Sequence, residues 1–303
     1  NSAAMVVQTV AGGGGLGAEV TGNAVLGMTS ASPTVANAGS LSFEGRGALI
    51  STQGIDSPAI VLQSIGGGGG WVGNVEGNST LGASHIGSAN AGSIDADVDY
   101  SLIQTSGENS TGLLVQAIGG GGGFTGSTSG HSLILGASVS GNSSSGSGDL
   151  DLSNNATINT FGKNSAALIA QSIGGGGGAS ATDDGNLIAI GTVSKTTSVN
   201  NLPVMTTGNV NVVNNASLST NSVGSAGLIV QSIASGGGYV SQTKGSEEYD
   251  IRFGAKGNLI GDAGNVSLKS NGEFVITEKA FSPALVAQSV AGGGGFALIS
   301  AKN

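Results

Sequence analysis

The chain has 303 residues, of which 58 are glycine and none is cysteine, and only 9% of its residues are charged. The absence of cysteine excludes a disulfide scaffold and any site built on thiolates. A net charge of −9 argues against nucleic-acid binding. No run of 18 apolar residues exists, so the sequence predicts no membrane-spanning helix. A mean hydropathy of +0.20 nevertheless indicates an ordered chain rather than a disordered one.

The chain is built from an internal repeat. Six near-copies of one motif, such as "VLQSIGGGGGW" at 61–71, join a short apolar run to a run of glycines. The sequence opens at "NSAAMVVQ" and stops just past "VAQSVAGGGGF", both inside the motif, so we expect a fragment of a longer protein. Each copy carries one glutamine, and these lie 53 to 60 residues apart: Gln8, Gln63, Gln116, Gln171, Gln231 and Gln288.

Upstream of each motif, the residues alternate between apolar and polar. The stretches "GSIDADVDY" (92–100) and "GNVNV" (208–212) are typical of strands with one buried and one solvated face. Continuous apolar runs such as "AALIAQS" (166–172) predict strands covered on both faces. In the last five repeats a threonine stands eleven residues before the glutamine and a serine follows five residues later, as in Thr105, Ser110 and Gln116.

These patterns predict an all-β fold. Short strands, Asn- and Gly-rich corners and a long repeat favour a right-handed parallel β-solenoid that occupies residues 1–303 as a single unit. If one coil takes roughly 18 to 20 residues, each repeat of about 55 residues spans about three coils, and the stack is a rod of roughly 70 Å. A β-sandwich or an antiparallel repeat is the alternative.

The glycine runs have two interpretations. A glycine-rich loop after a strand can cradle a phosphate, but such motifs continue into a helix with a Lys or Asp nearby, and neither follows here. We therefore interpret the runs as ordered packing elements in which backbones approach without interference from Cβ. They could cross the interior, lie against neighbouring coils or turn corners. Three runs have five glycines, and the first of them contains Gly66, Gly67, Gly68, Gly69 and Gly70.

Two repeated positions are candidates for either packing or binding. An aromatic ring beyond a glycine run can cover bare backbone, which we favour, or stand exposed as a sugar-stacking platform. We expect the repeated glutamines to bond to backbone groups at coil corners, and a ligand-binding row is the alternative. The position eight residues after each glutamine holds Leu16, Trp71, Phe124, Ala179, Tyr239 and Phe296.

Charged constellations are sparse. Asp95, Asp97 and Asp99 share one strand face and could hold a cation, although a solvated face is the simpler interpretation. His85 and His131 are the only histidines, and neither lies beside a nucleophile motif. Specificity is expected in variable stretches, at 195–207 and at 241–252. The second stretch contributes Lys244, Glu247, Glu248 and Tyr249 as candidate surface-binding residues.

Each repeat joins an alternating stretch such as "GNVNVVNNASLST" (208–220) to an apolar and glycine-rich block such as "AALIAQSIGGGGG" (166–178). This combination resembles the glycine-rich repeats of large bacterial autotransporter passengers. The resemblance covers essentially the whole chain. It implies a secreted β-solenoid stalk that is exported through a C-terminal outer-membrane barrel outside this sequence. It also implies an adhesin or surface structural protein more often than an enzyme.

We therefore expect a non-catalytic cell-surface or secreted protein without cofactor or metal, either an adhesin or an adhesin stalk that binds host or bacterial glycans or proteins. Two rivals remain. A self-assembling matrix or biofilm fibre would join chains end to end through unpaired strand edges. A carbohydrate-active β-helix enzyme would need clustered carboxylates and bases in one groove.

Overall fold

The computed structural model describes residues 1–129, 132–183, 187–243 and 250–298. Within these ranges the chain consists of β-strands joined by turns, without a helix, which confirms the predicted all-β class. None of the described residues therefore belongs to a helix that could cross a membrane. The strands form four parallel sheets, which we number in the order in which the chain enters them.

The first sheet contains the repeated glutamines, and we call it the glutamine sheet. The second begins within each glycine run, and we call it the glycine sheet. The strands of the glutamine sheet are Met5–Val10, Ile60–Ile65, Leu113–Ile118, Leu168–Ile173, Leu228–Ile233 and Leu285–Val290. Those of the glycine sheet are Gly14–Val20, Gly69–Val75, Gly122–Thr128, Gly177–Asp183, Gly237–Thr243 and Gly294–Ala297.

The third and fourth sheets complete each repeat before the chain returns to the glutamine sheet. The third sheet contains Ala24–Leu26, Thr29–Asn37, Ser79–Leu81, Ser84–Asn90, Ser132–Gly146, Leu187–Ser194, Val204–Thr206, Asp250–Phe253 and Ile260–Asp262. The fourth contains Leu41–Thr52, Ile94–Thr105, Leu150–Asn154, Thr157–Thr160, Val210–Asn214, Leu218–Thr220, Val266–Ser270 and Val275–Thr277.

Each repeat forms one layer of the molecule. Gln63 pairs in register with Gln8 on one side and with Gln116 on the other, and the remaining sheets keep the same one-to-one correspondence between repeats. We name each layer by its glutamine. A repeat therefore advances the stack by a single strand spacing of about 4.8 Å, and five such steps cover about 24 Å.

The predicted right-handed β-solenoid with three coils per repeat is wrong. The chain forms four separate parallel sheets of six to nine strands, and each repeat supplies one level of every sheet that it reaches. The 70 Å rod is wrong for the same reason. The antiparallel alternative also fails, because the described strand pairs are parallel. Alternation along a sequence identifies strands and their buried faces, but it does not say which copy a strand pairs with.

The glutamine sheet lies between two apolar layers. All six residues of Ile60–Ile65 are buried, as are those of the next three strands, which confirms the prediction of strands covered on both faces. One face, including Leu62, packs against fourth-sheet residues such as Ile94. The opposite face, including Val61, packs against glycine-sheet residues such as Trp71. A further apolar cluster joins the glycine sheet to the third sheet.

The fourth sheet shows the predicted alternation. In Ile94–Thr105 the first seven residues switch between buried apolar and more exposed polar side chains, so one face covers the core and the other faces solvent. The interior is thus divided into thin slabs of Val, Ile, Leu and Ala. Such slabs need few aromatic side chains, which accounts for an aromatic content of 4%.

Candidate functional site

The repeated glutamines form a continuous ladder of side-chain hydrogen bonds. The Nε2 of Gln63 donates to Oε1 of Gln116 at 2.7 Å, and the same bond links Gln116 to Gln171, Gln171 to Gln231 and Gln231 to Gln288. Gln8 joins the ladder by donating to Gln63. The parallel register places identical residues on neighbouring strands, so each amide can act as both donor and acceptor.

The second hydrogen of each amide is directed within its own layer. Gln63 Nε2 lies 3.4 Å from the Gly70 carbonyl oxygen, and the next three glutamines make the equivalent contact at 3.4 to 3.5 Å. These amides are fully buried from the Gln63 to the Gln231 layer. Their polar groups are therefore used between layers and against the glycine sheet, which leaves no donor directed to solvent for a ligand.

The fixed threonine and serine close the corner that precedes the glutamine sheet. Thr105 Oγ1 donates to the backbone oxygen of Ser110 at 2.6 Å, which explains their constant five-residue separation. The Ser110 amide donates to Oγ of Ser165 in the next layer at 2.9 Å. The same two bonds recur in neighbouring layers. This corner therefore forms a second ladder along the stack.

The glycine runs make the bend from the glutamine sheet to the glycine sheet. Gly68 and Gly69 have φ angles of 90° and 131°, in the region that favours glycine. A Cβ on Gly69 would lie 1.8 Å from the backbone oxygen of Gly122 in the next layer. The run from Gly66 to Gly70 is fully buried. Its conformation and its contacts are those of a packing element at a corner.

The aromatic row lies inside the molecule. Trp71, Phe124 and Tyr239 are buried between the glycine and glutamine sheets, and Ala179 occupies the same row. Tyr239 stacks on Phe296 with ring centroids 6.1 Å apart, and its hydroxyl donates to the Gly224 carbonyl oxygen at 3.4 Å. Burial raises the pKa of the Tyr239 hydroxyl. This placement favours the packing interpretation over a sugar platform.

Asp95, Asp97 and Asp99 share the outer face of the fourth sheet, and Arg46 lies 3.9 Å from Asp97. Asp95 and Asp99 are exposed on the outer face of the fourth sheet, where Asp99 lies 4.0 Å from Arg46. No group of acidic or histidine side chains within the described ranges is arranged to hold a metal ion. His131 lies outside the described residues. So do the four candidate surface-binding residues of the second variable stretch, Lys244, Glu247, Glu248 and Tyr249.

The first variable stretch is an insertion in the third sheet. Ser194 pairs with Val139, and Val204 pairs with Ser144, so nine residues (195–203) replace four (140–143) of the preceding layer. The insertion carries Val199, which is 75% exposed. The predicted variable stretch 195–207 is thus a loop at 195–203 followed by the paired strand Val204–Thr206.

One buried carboxyl group was not singled out by the sequence. Asp56 immediately precedes the fixed Ser57 and has a φ of 49°, as Asn109 and Asn164 have positive φ angles at the equivalent positions. It accepts hydrogen bonds from Asn109 Nδ2 at 3.0 Å and from Ser127 Oγ at 2.9 Å. Burial raises the pKa of Asp56, although these two bonds oppose the shift. In the sequence, this carboxyl group could have been found from its position one residue before a fixed serine.

A second glycine row was also missed. One glycine per layer lies in the third sheet, where a Cβ on Gly136 would lie 1.9 Å from the backbone oxygen of Gly191. An isolated glycine is not a distinctive sequence feature in a chain that contains 58 of them. Only their equal position in consecutive repeats could have revealed the row, whose members are Gly27, Gly82, Gly136, Gly191 and Gly254.

Comparisons with known proteins return no relatives: no family model, no curated protein and no solved structure matches the chain. The site is therefore interpreted from its geometry alone. The amide, hydroxyl and backbone groups of the described residues hold equivalent layers together.

Proposed function

We propose that the chain is a non-catalytic structural scaffold of a bacterial surface or secreted protein, acting as an adhesin or as its supporting stalk. The observation that carries this proposal is the glutamine ladder, because it commits the most conspicuous polar residues of the repeat to contacts between layers. A scaffold needs such self-complementary layers, whereas a catalytic site needs polar groups that are directed at a substrate.

The small rise per repeat indicates what such a scaffold can provide. Repeats of 53 to 60 residues add only about 4.8 Å each to the stack, so they are an inefficient means of extending reach. They provide instead a broad cross-section whose perimeter can display variable segments. The insertion at 195–203 is such a segment, and we assign it the contact with a glycan or protein on a host or bacterial surface.

The location outside the cell rests on the resemblance to autotransporter passengers, and linkage to an outer-membrane barrel is part of the same proposal. Labelling of intact cells that express the full-length protein tests it, with antibodies raised against 195–203. Signal on intact cells is expected, and signal only after cell lysis would contradict it.

The adhesive role is tested by exchanging residues 195–203 for the four residues "SGNS" that the preceding layer has at 140–143. Beads coated with the parent chain should attach to cells or arrayed glycans, and beads coated with the exchange variant should not. Ser101→Gly, on the exposed face of the fourth sheet, is the control that should retain attachment. Equal attachment by all three chains would refute the assigned role of the insertion. Cleavage of a polysaccharide by the purified chain would refute the non-catalytic assignment.

A second candidate function is a self-assembling extracellular fibre. The layers of the chain stack by parallel pairing in every sheet, and the Gln8 and Gln288 layers present Leu16 (59% exposed) and Leu285 (48% exposed) to a further layer, whether of this protein or of a second chain. Growth of filaments with protein concentration would support this candidate. A monomer at all concentrations would eliminate it. Filaments that persist after Leu16→Lys and Leu285→Lys would show that the chains do not join through these two faces.

A further inference from the structure

An open groove crosses the outer face of the third sheet at right angles to its strands. Its volume is about 300 Å³, at the lower end of the range for small-molecule sites. Residues from four consecutive layers line it, and none of them is charged. The groove lies away from the glutamine ladder and does not overlap the insertion at 195–203.

The floor of the groove is the glycine row of the third sheet. Gly136 and Gly191 pair in register, and a Cβ on Gly136 would collide with the Gly191 backbone oxygen, so the floor cannot carry side chains. One wall is a row that includes Ile134 and Ala189, and the other includes Ser138 and Val193. A bare row between two rows of side chains makes a straight trench along the stack.

The walls of the groove expose apolar surface. Val25, Ile134 and Val193 are 58%, 37% and 43% exposed, respectively. Apolar side chains that remain in water within a folded layer are unfavourable, and a concentration of them marks a binding surface. Because the exposed lining is mostly apolar and carries no charge, it suits an apolar occupant.

The dimensions restrict the shape of the occupant. From Val25 to Ala189 the groove crosses four strands, and therefore three strand spacings of about 4.8 Å, or about 14 Å. The floor is a single glycine row between two rows of side chains, and a narrow, unbranched chain fits lengthwise along it.

Positive charge stands at one end of the groove. The wall row of Ala189 continues to Arg252 in the Gln231 layer, and the row of Val193 continues to Lys256. Both cationic residues are exposed and flank Gly254, the next residue of the floor row. The chain has only nine basic residues, so two of them at the end of one apolar trench are a specific feature.

We propose that this groove binds a single-chain anionic amphiphile, with its alkyl chain along the glycine floor and its carboxylate or phosphate head beside Lys256 and Arg252. The uncharged walls match the alkyl chain, and the two cations match the head group. Carbon–carbon bonds of about 1.5 Å at tetrahedral angles advance about 1.25 Å per carbon, so a 14 Å groove accommodates on the order of 12 carbons.

The test is calorimetric titration of the full chain with n-alkyl carboxylates of increasing length, each below its micelle concentration. Affinity should rise about two- to four-fold per added CH₂ and stop rising at about 12 carbons. An affinity that does not depend on chain length would overturn the proposal. Continued growth beyond about 16 carbons would also overturn it, because the groove sets the limit.

Matched variants separate the groove from the remaining surface. Ala189→Leu fills the groove and should weaken dodecanoate binding at least ten-fold, whereas Ser101→Leu adds the same side chain on the fourth sheet and should change nothing. Lys256→Gln should weaken dodecanoate several-fold but leave dodecanol unaffected, with Lys269→Gln as the control. Equal effects of a variant and its control would overturn the proposal, provided that melting temperatures show both folded. Undiminished binding of Ala189→Leu to anionic phosphatidylglycerol vesicles would indicate a membrane surface instead, and would likewise overturn it.

Discussion

Two rows of buried polar side chains in the interior differ in their hydrogen bonding. Between the glutamine and glycine sheets, each buried glutamine donates both to its neighbour in the next layer and to a glycine carbonyl oxygen. Between the glycine sheet and the third sheet, the hydroxyl groups of Thr125 and Ser180 are buried without a hydrogen-bond partner among the described residues. Both regions belong to the same layers, so depth in the stack does not explain the difference.

The difference lies in repetition and reach. A glutamine at the same position in six repeats finds an identical amide one strand spacing away, which its side chain can reach. Thr125 and Ser180 occupy a row in which the flanking layers have Val72 and Val240, and their short hydroxyls lie among apolar neighbours. In a parallel stack, a buried polar side chain finds a hydrogen-bond partner when the neighbouring layers have the same residue at its position. It is left without a partner when they do not.

The largest effect is expected at the glycine bend that fixes the spacing of the paired region. Gly122→Ala would place Cβ 1.8 Å from the Gly177 backbone oxygen at a φ of 140°, so the layers must separate. We expect a loss of more than about 4 kcal/mol of unfolding free energy, measured by urea denaturation. Gly22→Ala is the control, because nothing lies within 4 Å of its added Cβ. A similar small change in both variants would show that the bend tolerates side chains.

Interrupting the glutamine ladder should have the next largest effect. Gln116→Leu strands the Nε2 donor of Gln63 and the Oε1 acceptor of Gln171 in the interior. Two unsatisfied buried groups cost about 2–6 kcal/mol in total, which a shift of the urea midpoint would measure. The exposed Gln53→Leu should change stability by less than about 0.5 kcal/mol. Equal losses in the two variants would mean that the ladder contributes nothing specific.

The constant spacings in the sequence reflect the register between layers, but they do not show which strands pair. The constant spacing of Thr105, Ser110 and Gln116 reflects two real contacts, the corner bond and the ladder bond. The alternation in "GSIDADVDY" likewise located a strand and its buried face correctly. The number of strands in one layer could not be obtained this way, because pairing partners lie one whole repeat apart and local alternation is the same for any partner.

Two further features depended on contacts that no local pattern encodes. The glycine run was predicted to be ordered, but its role as a bend follows from the φ angles of Gly68 and Gly69 and from the carbonyl oxygens of the next layer. The groove floor needed the alignment of Gly136 with Gly191 across layers. The insertion at 195–203 was visible as a variable stretch because it breaks the repeat length.

A sign reversal between an unpaired and a paired buried hydroxyl would sharpen the comparison further. Thr125→Val removes a buried hydroxyl that has no partner and continues the row of Val72, so unfolding free energy should rise by about 1 kcal/mol. Thr105→Val makes the same chemical change where the hydroxyl donates to Ser110 at 2.6 Å, and should lower it by about 1–2 kcal/mol. Thermal unfolding of both variants gives the two signs. Changes of the same sign would contradict the distinction between paired and stranded hydroxyls.

The smallest effect concerns Asp56, a carboxyl group in a corner row where the next two layers have Asn109 and Asn164. Burial raises the pKa of Asp56, so the folded state holds this proton more tightly than the unfolded state. Its contribution to stability is therefore fully present below the unfolded pKa of 3.8 and is lost as pH rises through the folded pKa. Asp56→Asn keeps an acceptor for Asn109 Nδ2 without the charge. The variant should be more stable than the parent at pH 7, with the difference shrinking toward pH 4, as melting temperatures across this range would show. A difference that grows as pH falls would mean that the hydrogen bonds from Asn109 and Ser127 outweigh the cost of burying the charge.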